Sequence, residues 1–542
     1  MFAPLVLAVV SAISLVHAEY NAEREAVSRS PRLAVLIVVD QMRPDYLTRF
    51  APLFKGGLHR LLDSGAVYLN AYHEHAATET AVGHSAISTG CYPAHNGIVG
   101  NEIYDRATER AVYSCEDSAA TILGHEGLSG RSPKWLMAET LGDRLKEYST
   151  QSKVFSVALK DRAAILMGGH RADGAYWFDT KSGDYVTSTY YESAIPAWLN
   201  EFNSRQFADS VLNDNWSCLL DTTAYAISGH DLESWENDGV HTTFPHKAEG
   251  VAWTASSPYK GVPVSPFADR MTIRLAEKII SENSLGQDGV ADMLCIGCSA
   301  PDYIGHRYGP NSWEIQDYYL RLDGYLEGLF MFLDSVVGPG GYVVALSSDH
   351  GVCECPEELR EKGVDAGRIP WKEFTDAMKG ANEAVTAELH LTGPAFTLKS
   401  GEVVVNYDNA RDVSVEELQS AIAAEIRKIP FVSDVFTRAE LASDTENDRP
   451  FEMLYRHCLY PGRGPDLFLL LNEHYFVGDG TTGTTHVSAY PYDTNVPIVF
   501  WGGGVGRSTH SERVRTVDIA PTLAALLGAG SFDRADGRPL NP

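Results

Sequence analysis

The stretch Leu33–Val39 reads LAVLIVV and is followed at once by Asp40. A short apolar run that is rich in β-branched residues is typical of a parallel strand buried on both faces of a sheet. In open α/β sheets, binding sites form at the carboxyl ends of the strands, and Asp40 occupies such an end. This stretch therefore predicts a central strand of an α/β sheet with a candidate functional carboxylate directly after it.

Segments of the same kind recur along the chain, and stretches with helical periodicity lie between them. The further predicted strands are Leu294–Gly297, Tyr342–Ser347 and Val496–Trp501, and the predicted helices are Ser132–Glu147, Ile315–Leu333 and Asp518–Leu527. Strands that alternate with helices favour a mostly parallel central sheet with helices on both faces. The predicted fold class is therefore α/β.

Two regions interrupt this alternation and are predicted to be insertions that cap the active site. The first covers residues 171–265, approximately, and is rich in aromatic residues, Asp, Ser and Asn; the second covers approximately 357–480. The elements predicted in the second are a strand at Val403–Tyr407, a helix at Val415–Lys428 and strands around Val432 and Leu467. The predicted catalytic domain spans residues 31–530 with both insertions, and residues 531–542 form a C-terminal tail.

The N-terminus indicates an exported protein. Residues 2–16 (FAPLVLAVVSAISLV) are almost continuously apolar, and Val16-His17-Ala18 is similar to a signal-peptide cleavage site. We predict a signal peptide at residues 1–18, a linker at 19–30 and a mature protein that is periplasmic or extracellular. The alternative is an uncleaved anchor, although the run is short for a membrane span. No membrane span is expected after cleavage.

The charge balance limits the partners. The 542 residues contain 44 Lys and Arg against 72 Asp and Glu, a formal net charge of −28. Phosphate backbones and anionic membranes require clustered cations, so a broad nucleic-acid-binding or membrane-binding surface is excluded. The composition also excludes collagen, coiled-coil arrays and intrinsic disorder. We expect a monomer that acts on small molecules.

The cysteines give a weaker signal. Eight cysteines lie in the predicted mature chain, and an even number in an exported protein permits disulfides without fixing their pairing. The pattern Cys295-Ile-Gly-Cys298 is compatible with a redox or zinc pair, but no second pair of this spacing accompanies it. Structural thiols or disulfides are the favoured interpretation.

A set of carboxylates and imidazoles follows the predicted strands and a turn rich in Gly and Thr. Its members are Asp40, Asp302, His306, Asp349, His350 and His486. Asp302 and His306 stand four residues apart, so on a helix they share a face and can hold one metal. Three Asp and three His form a donor set that suits Zn²⁺ better than Ca²⁺ or Mg²⁺.

The segment of residues 75–105 makes this pattern specific. It contains Thr80-x-x-Gly83-His84 and Asn101, and together with the six residues above it resembles the alkaline phosphatase superfamily, in the branch related to phosphodiesterases and nucleotide pyrophosphatases. The run Leu159-Lys160-Asp161-Arg162, with Gly168-Gly169-His170 after it, resembles the bacterial PafA/PhoK-like phosphate monoesterases. The resemblance covers nearly the whole predicted mature chain, and it implies an alkaline-phosphatase-like α/β fold.

This resemblance implies a zinc-dependent alkaline phosphatase that hydrolyses phosphate monoesters through a covalent phospho-threonine intermediate. Thr80 is the implied nucleophile, and Asn101, Lys160 and Arg162 are the implied ligands of the phosphoryl oxygens. Two Zn²⁺ ions are implied. One is held by Asp302, His306 and His486, and the other by Asp40, Asp349 and His350 with the Thr80 oxygen beside it. The products are inorganic phosphate and an alcohol.

Several of these residues also have an ordinary structural interpretation. Thr80 taken alone is typical of a helix N-cap, and His84 is interpreted as a hydrogen-bonding residue rather than a ligand. Four further histidines have no comparable support and are placed outside the site: His73, His75, His95 and His170.

Three other functions compete with the monoesterase. A phosphodiesterase or nucleotide pyrophosphatase shares the bimetal site, but a diester carries one negative charge less, so Lys160 and Arg162 favour the dianionic monoester. An arylsulfatase is disfavoured because Cys91-Tyr-Pro-Ala-His95 has His where that signature has Arg. A catalytically silent zinc- or phosphate-binding receptor on the same fold is the remaining alternative.

Overall fold

The protein is described by a computed structural model that covers residues 30–124, 129–247, 257–443 and 449–542. The predicted signal peptide and residues 19–29 of the predicted linker lie outside the described residues. Within the described part of the chain, no helix has both the length and the apolar character that a membrane crossing requires.

The strands and helices are numbered separately along the chain. The described strands are β1 (Leu33–Val39), β2 (Ala66–Tyr72), β3 (Glu102–Asp105), β4 (Arg110–Tyr113), β5 (Val154–Ala158), β6 (Gly174–Phe178), β7 (Tyr185–Val186), β8 (Asn215–Trp216), β9 (His246–Lys247), β10 (Asp292–Cys298), β11 (Tyr342–Ser347), β12 (Gly367–Ile369), β13 (Phe396–Lys399), β14 (Glu402–Val405), β15 (Val432–Thr437), β16 (Leu467–Leu471), β17 (Tyr475–Val477), β18 (Asn495–Gly502), β19 (Ser508–His510) and β20 (Val514–Arg515). The described α-helices are α1 (Tyr46–Arg49), α2 (Gly57–Ser64), α3 (Thr80–Thr89), α4 (Pro93–Asn96), α5 (Leu141–Tyr148), α6 (Asp161–Gly168), α7 (Ala197–Asn203), α8 (Phe207–Asn213), α9 (Pro266–Asn283), α10 (Ala300–Tyr308), α11 (Trp313–Val336), α12 (Pro356–Glu361), α13 (Trp371–Glu388), α14 (Val415–Ile426), α15 (Arg438–Ala442), α16 (Glu452–Arg456), α17 (Pro491–Thr494) and α18 (Ile519–Leu527).

One large sheet dominates the fold, with the strand order β19-β2-β18-β11-β1-β10-β5-β6-β7 and with β20 paired to β2. Its centre, β11-β1-β10-β5-β6, is parallel throughout. Strand β18 is antiparallel to both of its neighbours, and β7 is antiparallel to β6. The predicted α/β class is confirmed, and the sheet is parallel at its centre and mixed toward its edges.

The register of the central strands explains where the site forms. All residues of β1 are buried, and Val39 at its end pairs with Cys298 of β10 while Val38 pairs with Ser347 of β11. Parallel strands end at the same edge of a sheet, so the loops after all three strands meet there. Asp40 stands at the start of the first of these loops.

Helices cover both faces of the sheet, as predicted. Alternate residues of β1 belong to two separate apolar clusters, because successive side chains of a strand point to opposite faces. Helices α9 and α11 contribute to the cluster on one face, and α3, α6 and α18 contribute to the cluster on the other. The burial of these apolar side chains on both faces is the main stabilising contribution to the fold.

The helix predicted at Ser132–Glu147 is wrong over its first half, since α5 begins only at Leu141. Thr140 caps this helix: its hydroxyl accepts a hydrogen bond from the Asp143 backbone N–H at 3.1 Å, and the Asp143 carboxylate accepts one from the Thr140 N–H at 2.9 Å. This capping box sets the start of the helix at Leu141, although the apolar periodicity on which the prediction was based continues upstream.

The two regions predicted as insertions differ in their relation to the large sheet. Residues 171–265 open with β6 and β7, which belong to that sheet, and only later form the separate β8–β9 pair. Residues 357–480 contain a four-stranded sheet of order β13-β14-β16-β15, which we call the cap sheet. Helices α13 and α14 pack with it in a distinct apolar cluster. The strands and the helix predicted in this region correspond to β14, α14, β15 and β16.

All eight cysteines are free thiols, and seven of them are buried. Cys295 and Cys298 lie on β10, but their side chains belong to the apolar clusters on opposite faces of the sheet. A redox or zinc pair needs two sulfurs on one side, so this spacing in a strand does not form one. The interpretation as structural thiols is consistent with this burial.

Candidate active site

Helix α3 presents the candidate nucleophile at its first residue. Thr80 is buried, with 1% of its surface exposed, and its hydroxyl oxygen lies 3.2 Å from Lys160 Nζ and 3.4 Å from Arg162 Nη2. Lys160 and Arg162 come from the start of α6, which follows β5. The helix N-terminus and the two cations give a positive potential at this hydroxyl. This geometry suits a bound anion such as a phosphoryl group.

The residues after Thr80 allow α3 to approach the loop that follows β11. A Cβ atom on Gly83 would lie 2.0 Å from the carbonyl oxygen of Asp349, so only glycine permits this contact. One turn further on, His84 Nδ1 lies 2.9 Å from the carbonyl oxygen of Thr80. The motif Thr-x-x-Gly-His therefore has a packing reason: it brings the hydroxyl and the strand-end carboxylates together.

The predicted ligands converge around Thr80 and Lys160 in two groups. Within the described residues, ligand atoms lie within 4.8 Å of one another in Asp302, His350 and His486 and, separately, in Asp40, His84 and Asp349. The predicted ligand His306 borders the first group, with its Nε2 at 3.2 Å from Asp302 Oδ1.

This grouping differs from the predicted division in two respects. His350 lies with Asp302 and His486, although its Nε2 is also 3.3 Å from Asp349 Oδ2, so it borders both groups. His84, which the sequence analysis left outside the ligand set, lies 3.4 Å from Asp40 Oδ1 through Nε2 and joins the second group. Its position four residues after Thr80 on the same helix was the available signal.

The four imidazoles of the site are oriented in the same way. Nδ1 faces a backbone carbonyl oxygen in each ring: that of Thr484 for His306 (2.8 Å), Gly351 for His350 (2.9 Å), Thr78 for His486 (2.7 Å) and Thr80 for His84 (2.9 Å). A proton on Nδ1 satisfies this contact and leaves the lone pair on Nε2. Such a hydrogen bond to the remote nitrogen is the usual support of a metal-binding histidine.

The buried charges of the site are out of balance. Lys160 Nζ lies 2.8 Å from Asp40 Oδ2 and 2.6 Å from Asp302 Oδ2. Although burial disfavours its charge, these two carboxylates raise the pKa of Lys160. Burial and the adjacent Asp349 raise the pKa of Asp40. Two buried carboxylates therefore share one ammonium group and a third, Asp349, lies next to Asp40, so bound cations would stabilise them.

The pKa shifts of the histidines follow from the same crowding. Burial disfavours the charge on His350, but Asp349 outweighs it and raises the pKa of His350 to about 9. Burial and the neighbouring His350 lower the pKa of His486 to about 3. Neutral His486 is thus available as a ligand over the whole neutral range.

The orphaned polar atoms fit metal ligation. Asp349 Oδ2, His350 Nε2 and His84 Nε2 are buried and have no hydrogen bond with adequate geometry. Buried polar atoms of this kind are costly unless a partner compensates them. Carboxylate oxygens and imidazole nitrogens are ligands that zinc accepts, so the side chains present fit the metals that the sequence predicts.

Gln41 is a site residue that the sequence analysis missed. It has a φ of +63°, its side-chain amide donates to Asp302 Oδ1 at 2.9 Å and its backbone N–H donates to Asp349 Oδ1 at 3.1 Å. A Cβ atom on Gly305 would lie 1.8 Å from Gln41 Oε1, so Gly305 makes room for this side chain. Gln41 therefore orients a carboxylate of each group, and its position after Asp40 was the only signal.

Asn101 lies at the N-terminus of α3, as the prediction requires. Its Oδ1 accepts a hydrogen bond from the Ala81 backbone N–H at 3.0 Å, and its own backbone N–H donates to Glu79 Oε2 at 3.0 Å. These contacts fix the side chain beside Thr80 and leave its amide nitrogen as the end that can donate to an anion.

The four histidines that the sequence analysis excluded lie in neither ligand group. His95 pairs with Asp536 at 2.8 Å, and His170 with Asp143 at 3.2 Å. His73 Nε2 contacts the carbonyl oxygen of Ser348, and His75 packs beside His73 with a ring separation of 5.0 Å.

Comparison with known proteins gives one family and several relatives. The family model for type I phosphodiesterase / nucleotide pyrophosphatase matches residues 34–493. Alkaline phosphatase PhoV of Synechococcus elongatus is 34% identical over 92% of this chain and 90% of the relative. Alkaline phosphatase PafA of Elizabethkingia meningoseptica is 32% identical over 94% of each chain.

Solved structures agree with these similarities. The crystal structure of wild-type alkaline phosphatase PafA superposes with a TM-score of 0.86 at 30% identity, over 94% of this chain and 98% of that chain. The murine ectonucleotide pyrophosphatase / phosphodiesterase 5 superposes with a TM-score of 0.51 at 13% identity, over 93% of this chain and 97% of that chain. The second similarity concerns the fold alone.

Proposed function

The chain belongs to the type I phosphodiesterase / nucleotide pyrophosphatase family and is an alkaline-phosphatase-like hydrolase, and from this premise we propose that it hydrolyses phosphate monoesters. The products are inorganic phosphate and an alcohol, and the intermediate is a phosphoryl group on Thr80. The observation that supports this proposal most strongly is the pair of cations, Lys160 and Arg162, within 3.4 Å of the Thr80 hydroxyl oxygen.

The family implies metal ions, and we propose that they are two zinc ions. The proposed ligands are Asp302, His306 and His486 for one ion, and Asp40, Asp349 and His350 for the other, with Thr80 beside the second. His84 is a further candidate because it lies in one group with Asp40 and Asp349. When bound, the ions supply Lewis-acid stabilisation of the attacking and leaving oxygens of an in-line displacement.

The side chains of the protein have separate tasks in this reaction. The Thr80 oxygen bonds to phosphorus as the bond between phosphorus and the leaving oxygen breaks, and the Thr80 proton ends on the released alcohol. The Lys160 ammonium 3.2 Å away stabilises negative charge on the attacking oxygen. Water then hydrolyses the phosphoryl-threonine, which releases inorganic phosphate and restores the Thr80 hydroxyl. Because two carboxylates raise the pKa of Lys160, it stays charged and donates a hydrogen bond rather than accepting the Thr80 proton. Arg162 and Asn101 are proposed to hold the phosphoryl oxygens, whose charge grows in the transition state.

Charge distinguishes the monoester from the competing diester. A monoester dianion has two negative charges to pair, whereas a diester has one and must also place a second substituent. Two cations close to the nucleophile favour the dianion. The phosphodiesterase or nucleotide pyrophosphatase activity remains the second candidate function, because the family includes such enzymes.

A paired assay tests the proposal. The zinc-loaded full chain is given p-nitrophenyl phosphate and bis-p-nitrophenyl phosphate, before and after treatment with a chelator. We expect faster turnover of the monoester, loss of both activities on chelation and recovery with Zn²⁺. Faster turnover of the diester would favour the diesterase, and binding of phosphate without turnover of either ester would identify a silent receptor.

We also propose the wider setting of this activity. The chain is an exported, periplasmic or extracellular monomer whose partners are small phosphate esters. In this proposal the signal peptide is cleaved after residue 18, and residues 31–530 form the catalytic domain with its two insertions.

A further inference from the structure

The residue that follows the proposed ligand His486 has a strained backbone. Val487 has a φ of +88°, and 52% of its surface is exposed. A β-branched residue in the left-handed region is a genuine outlier, and such strain persists only where the surrounding structure imposes it. Val487 is thus an apolar side chain held beside the proposed metal site at a conformational cost.

Val487 lines a cavity that also reaches His486 and has a volume of about 360 Å³. Aromatic side chains form much of its wall: Trp371, Phe374, Tyr455, Tyr475, Phe476 and Tyr490. We call this cavity the aromatic groove. Its size lies in the range of sites that bind small molecules, and such sites are mostly apolar.

The hydroxyl groups of the tyrosines that line the aromatic groove have hydrogen-bond partners within the protein. The hydroxyls of three of the four lining tyrosines donate to other acceptors: Tyr455 to the Leu469 carbonyl (3.1 Å), Tyr490 to the Leu471 carbonyl (2.9 Å) and Tyr475 to Asp365 Oδ1 (2.7 Å). The fourth, Tyr492, accepts a hydrogen bond from the His474 backbone N–H at 3.3 Å. The one acidic lining residue, Asp493, is fully buried and accepts hydrogen bonds from Ser488. The groove therefore suits an apolar ligand.

A second cavity of about 390 Å³ is also lined by Val487 and reaches Glu79, the residue before Thr80. The two cavities share Gly401, Tyr455, Leu469 and Val487. An in-line displacement places the leaving oxygen opposite the attacking oxygen. In the proposed division of ligands, Thr80 lies beside one ion and His486 holds the other, so the leaving oxygen is expected on the His486 side. His486 lines the aromatic groove, whereas the second cavity is lined by Glu79, the neighbour of the attacking residue.

The rim of the groove comes from the cap sheet and from α13. Trp371 begins α13 and is 46% exposed. Gly401 lies in the turn between β13 and β14 with a φ of +86°, and a Cβ atom there would lie 3.7 Å from the Trp371 ring. Trp371 and Val487 are both partly exposed and line the same cavity as the proposed ligand His486, so together they offer apolar surface to a ligand in the groove.

We infer that the aromatic groove binds the apolar aryl or alkyl part of the leaving alcohol. Trp371 and Val487 are its specificity-determining residues. This inference rests on the proposed function, and it names the substrate class: phosphate monoesters of apolar, and especially aromatic, alcohols.

The test compares 1-naphthyl phosphate with methyl phosphate in the zinc-loaded parent and in Trp371→Ala. Removal of an aromatic contact that covers about 60 Å² of apolar surface corresponds to about a tenfold change. We expect Trp371→Ala to lower kcat/KM for 1-naphthyl phosphate about tenfold and to change that for methyl phosphate less than about twofold. Tyr148→Ala is the matched control, because Tyr148 is 65% exposed and lines none of the cavities described above.

A binding measurement makes the result independent of turnover. By calorimetry, benzylphosphonate should bind the parent more tightly than methylphosphonate, and Trp371→Ala should remove most of that preference. Val487→Thr keeps the branched shape but places a hydroxyl in the groove. It should therefore weaken the binding of benzylphosphonate several-fold and leave the binding of methylphosphonate unchanged.

The outcomes separate the two proposals. Suppose that the parent hydrolyses both esters and that Trp371→Ala lowers kcat/KM for both by the same factor, or for neither. The groove assignment is then overturned while the monoesterase proposal stands. If the parent hydrolyses neither ester but the phosphonate preference depends on Trp371, the monoesterase proposal fails and the groove remains a binding site. Equal binding of both phosphonates by the parent also overturns the groove.

Discussion

Arg162 provides the sharpest test of monoester recognition. Its Nη2 lies 3.4 Å from the Thr80 hydroxyl oxygen, and its Nε is buried without a hydrogen bond to the protein. The Nε–H group is thus available to a phosphoryl oxygen, next to the Nη2 group that faces the Thr80 hydroxyl. Removal of one aimed donor costs about 10²–10³ in rate. We therefore expect Arg162→Ala to lower kcat/KM for a monoester by about that factor.

The diester provides the internal comparison. Its second substituent replaces one charged oxygen, so the loss in Arg162→Ala should be less than about tenfold, because the lost donor has no full charge to pair. Arg162→Lys keeps the charge but loses the planar fork, and an intermediate loss for the monoester is expected. Inorganic phosphate, which is similar to the monoester in charge and shape, should inhibit Arg162→Ala more weakly than the parent.

Arg131→Ala is the matched control for this experiment. Arg131 pairs with Asp161 at 2.8 Å and its guanidinium lies over the Tyr113 ring, but it makes no contact with Thr80 among its hydrogen bonds. Its loss should affect both substrates equally and weakly. The measurement is kcat/KM for p-nitrophenyl phosphate and bis-p-nitrophenyl phosphate in all variants. If Arg162→Ala lowers kcat/KM for both substrates by the same factor, the conclusion that Arg162 distinguishes monoesters from diesters is refuted.

Three further predictions concern the nucleophile, the metals and stability. Thr80→Ala should keep its zinc but form no phospho-enzyme on mass spectrometry, whereas Thr80→Ser should stay active because the attacking oxygen is kept. His486→Ala should bind less zinc by elemental analysis, since a catalytic zinc has few protein ligands to lose. The hydrogen bond to Asp143 raises the pKa of His170, so its stabilising contribution should be present below about pH 6.5 and be lost as the pH rises through the folded-state pKa.

Each of these predictions has a contrary result. Normal turnover by Thr80→Ala would exclude it as the nucleophile, and full zinc content in His486→Ala would remove it from the ligand set. His170→Gln should flatten the dependence of the unfolding free energy on pH above about pH 6.5. An unchanged pH dependence in that variant would show that the Asp143 contact does not hold in solution.

The central strands could be predicted from the sequence because their side chains are buried on both faces of the sheet. The strands β1 and β11 have the predicted bounds, since a strand buried on both faces shows as a continuous apolar run. The short strands β7, β19 and β20 were not predicted, because segments of two or three residues carry no periodicity. The antiparallel direction of β18 was also not predicted, since an apolar run does not indicate the direction of a strand relative to its neighbours.

The sequence indicated that the six predicted ligands meet at one edge of the sheet, but it did not indicate their arrangement or the contributions of His84 and Gln41. Strand ends and the i, i+4 spacing identify which carboxylates and imidazoles meet at one edge of the sheet. They do not say which way a side chain turns, so the position of His350 between the groups and that of His84 beside Asp40 were missed. Gln41 was missed because its role depends on a positive φ and on the space beside Gly305.

Lys160 shows why adjacent cations of one motif are not equivalent. The sequence analysis assigned Lys160 and Arg162 to the same task, but Lys160 lies between Asp40 and Asp302 at ion-pair distance from both. Without bound metal ions, its removal would leave two buried carboxylates unpaired, a change that costs about 3–5 kcal/mol in comparable sites. A rate loss in a Lys160 variant would then combine altered charge balance at the ligands with lost contact to the phosphoryl group. Arg162 carries no such ion pair with a proposed ligand, so its replacement removes the contacts to the substrate and to the Thr80 hydroxyl without unpairing a buried carboxylate.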